Sequence, residues 1–226
     1  MNVYHGSYTF IKEIDLSQSI PNKDFGKGFY VTKFRKHAEG WATIIGRRHK
    51  TKGCVTEFVF YDTEFTERLC KVKHFHAYDE EWLDFVVENR NPFGKTHDYD
   101  IVEGPVANDK VQHRIDDYLN GLVAKPDFLE ELKWHEETHQ ICFCTVKSLL
   151  TLRRADRKQV SILSNIAEPI VERLVLDSGM DDKTAADTFF SSVTFAKLAD
   201  ASTGLYEKPW EEIYDLLKTE MGKGIP

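Results

Sequence analysis

At residues 153–159 the chain reads RRADRKQ, and its hydrophobic pattern differs on the two sides. Before this stretch, short alternating runs that suit strands are interspersed with runs at helical spacing. After it only the helical period recurs. The strands and helices of the first part keep no regular strand–helix–strand beat and no repeat, so an α+β fold is expected over a doubly wound sheet. RRADRKQ makes a polar linker, which divides the 226 residues into a domain at 1–155 and a helical accessory domain at 156–226.

In the first part, NVYHGS is expected as an opening strand that ends at a turn, and GFYVT as a second strand entered through glycines. From Lys33 the period changes. Phe34, Ala38, Trp41, Ala42 and Ile45 fall on one helical face, with Thr32 as N-cap and the basic GRRHK at the C-terminus. CVTEFVFYD and KVKHF suit strands, EEWLDFVVENR a helix, and YDIVEGPVAND a strand broken at Gly104-Pro105. DFLEELKWHEET suits a charged helix, and HQICFCTVKSLLTLRR a strand followed by a turn. The second part is expected to hold three helices: one in SILSNIAEPIVERLVLDSG that kinks at Pro169 or begins just before it, one over DDKTAADTFFSSVTFAKLAD, and one in KPWEEIYDLLKTEM. A unit of that size gains little stability alone, so it is expected to dock on the first domain or on a partner.

Composition narrows the function classes. Hydrophobic residues make up 41%, enough for a real core, and the net charge of −7 argues against a nucleic-acid coat or a basic membrane patch. Lys23 to Lys50 is locally basic, which suits either a phosphate-bearing ligand or a solvated helix. No apolar run is long enough to span a bilayer, and MNVYHGSYTF has no signal-peptide pattern. Cys54, Cys70, Cys142 and Cys144 include no CxxC pair, so they are read as reduced and buried rather than as a zinc site. Together these features suggest a cytoplasmic protein.

Three short strings stand out: YHGS at 4–7, FGKGFYVT…AEGWA at 25–42, and HQICFCT at 139–145. Each alone has a structural explanation. In order, they resemble the ADP-ribosyltransferase superfamily, in its poly(ADP-ribose) polymerase and diphtheria-toxin-like branch. His5-Gly6-Ser7 stands where that branch ends its first strand. Tyr30 follows the glycine turn, Trp41 comes eleven residues later, and Gln140 opens the late strand. The tail resembles a small helical bacterial family of unknown function.

The resemblance implies a split β-sandwich of two antiparallel sheets with flanking helices, plus the C-terminal three-helix unit. It implies NAD as co-substrate, no metal, and His5, Tyr30 and Gln140 as the catalytic set. His5, Gly6, Ser7, Gly28, Tyr30, Trp41 and Asn108 would hold the dinucleotide. In that scheme the Gly6 backbone meets the nicotinamide carboxamide, with Ser7 adding a hydroxyl. Tyr30 and Trp41 sandwich the cationic ring, and His5 bonds a ribose hydroxyl.

Two positions depart from the branch. Gln140 stands where a glutamate is usual, so the charge that would stabilise an oxocarbenium-like transition state is missing. Ala38 stands where the polymerase-like members place a serine. Glu103, Glu136 and Glu137 are the carboxylates available to assist, and Arg90 is a candidate for the pyrophosphate.

The activity implied is mono-ADP-ribosyl transfer to a macromolecular acceptor, in a bacterial toxin or defence effector, with no membrane partner. The alternatives are a catalytically silent NAD or ADP-ribose module whose helical tail recruits a partner, and an interaction scaffold.

Overall fold

The computed structural model describes residues 1–107, 109–132, 137–156, 162–200 and 203–222. It is α+β and divides into two compact units. The first comprises Met1–Phe60 and Cys70–Arg154, and the second Tyr61–Leu69 and Ala155–Pro226. The segment 61–69, assigned to the first domain in the sequence reading, therefore packs with the helical unit.

The first unit holds two sheets. In the three-stranded sheet, β1 (Asn2–Ser7) and β7 (Leu152–Arg154) flank β3 (Cys54–Phe60), both antiparallel to it. In the four-stranded sheet the order is β2 (Phe29–Val31), β6 (Gln140–Phe143), β5 (Ile101–Gly104) and β4 (Val72–His74). The pair β4–β5 is parallel, so this sheet is mixed rather than wholly antiparallel as expected. The cause is the chain between them. Helix α3 (Glu80–Arg90) provides the crossover that a parallel pair needs.

Register sets what each face carries. Phe29, Val31, Ile141, Phe143 and Glu103 share one face of the four-stranded sheet. Phe29 and Phe143 on that face meet Phe58 and Phe60 of β3, with centroids 5.4 and 5.2 Å apart. Tyr30, Gln140, Cys142, Val102 and Gly104 share the other face. There a second core gathers Phe25, Phe75, Trp82, Val86, Val111, Ile115 and Phe128, with Tyr30 packed against it. Val111 and Ile115 come from α4 (Asp109–Leu119), a helix the sequence reading passed over, and Phe128 comes from α5 (Lys125–Leu132).

Helix α1 (Arg35–Arg48) lies on β1 and buries Ala38, Ala42 and Gly46. Its N-cap is Phe34 rather than the expected Thr32, although the Thr32 hydroxyl accepts from the Phe34 N–H at 3.1 Å. Trp41, expected on the apolar face, is 46% exposed.

In the second unit, α2 (Glu64–Leu69) packs on α8 (Asp182–Phe190). Helix α7 (Glu168–Ser178) begins just before Pro169, as the missing N–H of proline permits, but runs on without a break from a π-helical turn at Leu163–Ala167. After β6 the chain also forms the short helix α6 (Val146–Leu149) of the first unit. The run DDKTAADTFFSSVTFAKLAD is two helices, α8 and α9 (Val193–Ala199). The break comes at Ser192, whose hydroxyl accepts from the Phe195 N–H at 2.9 Å and caps α9. With α10 (Trp210–Gly222), the tail has four α-helices among the described residues where three were expected. No described helix is long and apolar enough to cross a membrane.

Candidate functional site

The site begins where β1 and β2 part. Tyr4 and Thr32 exchange both backbone hydrogen bonds, at 2.8 and 3.0 Å, and this single bridge joins the two strands. On its other edge β1 pairs with β3, where Met1 and Phe60 are a hydrogen-bonded pair. Backbone groups alternate along an antiparallel strand. Odd residues of β1 therefore bond β3, while Tyr4 and Gly6 point toward β2. The ladder does not reach Gly6. Among the described residues its N–H and C=O meet no partner, and the two groups project from the open edge beside Tyr30.

His5 keeps the strands apart. Its Nδ1–H donates to the Tyr30 carbonyl at 2.7 Å, taking the bond that a continued ladder would use. Its ring stacks on Phe29 at 4.5 Å. Burial lowers the His5 pKa, the Tyr30 carbonyl opposes that shift, and the charge of Lys23 adds to it. The imidazole is held neutral with its proton on Nδ1. Ser7 follows on the His5 face, opposite Cys54.

Gly6 is glycine for a packing reason as well. A Cβ there would lie 2.0 Å from the Ala38 carbonyl oxygen of α1. Ala38, where the polymerase-like pattern has a serine, is thus pressed against Gly6. Trp41, three residues later, flanks this contact with its ring half exposed. It makes no ring contact with Tyr30 among the described residues.

Tyr30 is anchored by its hydroxyl, which donates to the Gly26 carbonyl at 2.7 Å and accepts from the Phe25 N–H at 3.1 Å. Burial raises its pKa well above the usual phenol value. The glycine turn is what makes this closure possible. Gly26 has φ of +73°. A Cβ on Gly28 would fall 2.4 Å from the Cys142 Sγ, and the Gly28 N–H and C=O both bond the Ser19 hydroxyl at 2.8 Å. The Lys23 ammonium lies over the Tyr30 ring, 5.0 Å from its centroid.

Gln140 shares the Tyr30 face but is 8% exposed, with its amide nitrogen engaged twice. Nε2 donates to Asp24 Oδ2 at 2.8 Å and to the Pro105 carbonyl at 3.1 Å. Asp24 joins three motifs. Its Oδ2 also accepts from the Ala107 N–H at 2.8 Å, and its Oδ1 takes a forked bond from Arg90, 2.9 Å to Nε. Arg90 also donates to the Ala107 carbonyl at 3.0 Å. The guanidinium is therefore committed to this ion pair and is not free for a pyrophosphate. Asn108, expected in the pocket, lies outside the described residues, as does Glu136.

Glu103 lies on the opposite face from Gln140. It accepts from His139 Nε2 at 2.7 Å and from His74 Nδ1 at 3.0 Å. His139 Nδ1 accepts the Lys33 N–H at 3.2 Å, which fixes the tautomer with the proton on Nε2. Burial alone would raise the Glu103 pKa, but the imidazoles of His139 first and then His74 hold it below the ordinary value. Glu137 pairs with Lys33 at 3.2 Å. All four cysteines are free thiols, with Cys54 and Cys144 half-buried rather than buried. The Cys142 and Cys144 sulfurs are 3.4 Å apart.

The structure thus brings Gly6, His5, Tyr30 and Lys23 to one strand gap, with Trp41 on the adjoining helix. It sets Gln140 in the buried Asp24 network. In the sequence Lys23 stands out only as part of the basic run from Lys23 to Lys50, and Asp24 carries no signal of a place in the site. Residues 1–153 match a family described as proteins of unknown function, DUF3990. No curated protein and no solved structure matches the chain.

Proposed function

We propose that this chain, which belongs to the DUF3990 family, is an NAD-dependent mono-ADP-ribosyltransferase acting on a macromolecular acceptor. The observation that carries the reading is the open edge at Gly6. A carboxamide needs one donor and one acceptor side by side in fixed geometry. The Gly6 N–H and C=O are such a pair, left open because the β1–β2 backbone ladder is confined to Tyr4 and Thr32 and the His5 ring takes the Tyr30 carbonyl. The Tyr30 ring beside this edge and the half-exposed Trp41 provide two π faces for a cationic ring. The resemblance of YHGS, FGKGFYVT and HQICF to the transferases gives the same residues the same order.

In this mechanism Gly6 fixes the carboxamide, and the two aromatic rings hold the nicotinamide. His5 sets the gap by its bond to the Tyr30 carbonyl. The nicotinamide–ribose bond breaks, the electron pair leaves with nicotinamide, and an acceptor nucleophile attacks the ribose carbon. Incubation with NAD should release nicotinamide, and Trp41→Ala should reduce that release about two- to tenfold, as expected for loss of an aromatic stacking partner. No release with any protein or nucleic-acid acceptor would overturn the assignment.

One observation favours a second reading, a module that binds NAD or ADP-ribose without cleaving it. Gln140 brings no charge, and the carboxylate beside it, Asp24, is neutralised by Arg90. Binding of NAD without nicotinamide release would identify that case.

A further inference from the structure

We propose that Lys23 sorts ligands at this gap: its ammonium covers the open face of Tyr30, yields that face to a nicotinamide ring, and then engages the pyrophosphate. This rests on the NAD reading above and gives one residue of the site a distinct role.

Three observations lead there. The Lys23 Nζ is 5.0 Å from the Tyr30 centroid, in the position where a cation is attracted by the ring. One side of Tyr30 packs against the core, whereas Lys23 is itself exposed, so the face it covers is the one that a ligand can reach. Among the described residues Lys23 makes no ion pair. The carboxylate next to it in sequence is spent, since Asp24 bonds Arg90, Gln140 and the Ala107 N–H. Asp24 acts on the ammonium only through its charge, the contact Lys23 makes is with the aromatic face, and its own charge reaches His5 across the gap.

A pyridinium ring and an ammonium cannot share one face of Tyr30, because like charges at contact repel and each would forfeit its attraction to the ring. Entry of the ring displaces Lys23. Its four-carbon stem lets the ammonium swing without moving the backbone. NAD carries a pyrophosphate as well as the cationic ring, so the displaced charge gains an anionic partner from the same ligand.

The two halves of the dinucleotide should then respond to Lys23 in opposite directions. Free nicotinamide must evict Lys23 and offers it no phosphate. ADP-ribose offers the phosphate and no ring. Calorimetry on the full chain and on Lys23→Ala, with equal melting temperatures as the check on folding, tests this. Lys23→Ala should bind nicotinamide about two- to fivefold more tightly and ADP-ribose roughly tenfold more weakly. If the wild type binds both ligands and the variant leaves both constants unchanged, or moves both in the same direction, the role of Lys23 is overturned while the NAD reading stands. If the wild type binds neither nicotinamide nor ADP-ribose at millimolar concentration, the NAD reading fails and the role of Lys23 fails with it.

Discussion

At the scale of the residue, Gln140 is where the structure most changes the question. The sequence comparison invites a glutamate at this position to restore charge. The geometry argues against it. A carboxylate there would sit where Nε2 now lies, 2.8 Å from Asp24 Oδ2 and 3.1 Å from the Pro105 carbonyl oxygen. Three acceptors would face one another in a buried pocket. Gln140→Glu should lower unfolding free energy by about 3–5 kcal/mol, the range for breaking a buried charge network. In urea titrations the double variant Asp24→Asn/Gln140→Glu should recover part of that loss, because the Asn amide can donate. Equal stability of Gln140→Glu and wild type would contradict the network.

His5 gives a second residue-scale expectation. Its pKa is lowered in the fold, so below pH 6.5 the unfolded chain binds the proton that the folded chain resists. Stability should therefore fall as pH drops below 6.5, by at most about 1.4 kcal/mol per pH unit from this group. His5→Asn, which keeps a donor for the Tyr30 carbonyl, should show a shallower decline over pH 6.5 to 5. Identical profiles would remove burial of His5 as a cause.

At the scale of the element, the contact of α1 on β1 is governed by Gly6. The neighbours of an added Cβ are backbone atoms, the Ala38 carbonyl oxygen at 2.0 Å and the Ala42 nitrogen at 2.8 Å, which cannot turn aside as a side chain would. Gly6→Ala must push the helix off the strand, at a cost of about 1–3 kcal/mol. Thermal melts should show the loss.

Elements were legible where the period was long or the punctuation strong. EEWLDFVVENR is α3, and CVTEFVF is β3. Helix α2 was not legible, since its six residues span under two turns and cannot establish a period. The parallel pairing of β4 with β5 was also hidden, because short strands carry no mark of their direction. The strings YHGS and FGKGFYVT pointed to His5, Gly6 and Tyr30, which do meet at the β1–β2 gap. They could not show that Asp24 bonds partners 66, 83 and 116 residues away, since nothing in a lone turn aspartate announces long-range hydrogen bonds.

At the scale of the whole molecule, the division of the chain does not follow a single cut. Helix α2 leaves the first unit to line a groove with Phe65, Leu69, Val171 and Ala186. Arg68 pairs with Asp182 at 3.3 Å, and the Tyr61 hydroxyl donates to Glu168 at 2.7 Å. A protein truncated to 1–154 would keep α2 without these partners and expose its buried Phe65 and Leu69. It should be less soluble than the full chain, and proteases should cut it first within 61–69. Resistance of that segment in the truncated protein would contradict its place in the helical unit.

The central claim is that the open edge at Gly6 holds a carboxamide between aromatic faces. Nicotinamide and nicotinic acid differ only there, with an amide in one and a carboxylate in the other. A carboxylate would set an anionic oxygen against the Gly6 carbonyl and give it no donor. Calorimetric titration of both compounds into the wild type and Trp41→Ala is the direct measurement. Trp41 is half exposed, so its removal leaves the core in place. The account expects nicotinamide to bind the wild type, nicotinic acid to bind at least about tenfold more weakly, and Trp41→Ala to weaken nicotinamide. Equal binding of the two compounds, or no binding of nicotinamide at millimolar concentration, would contradict it.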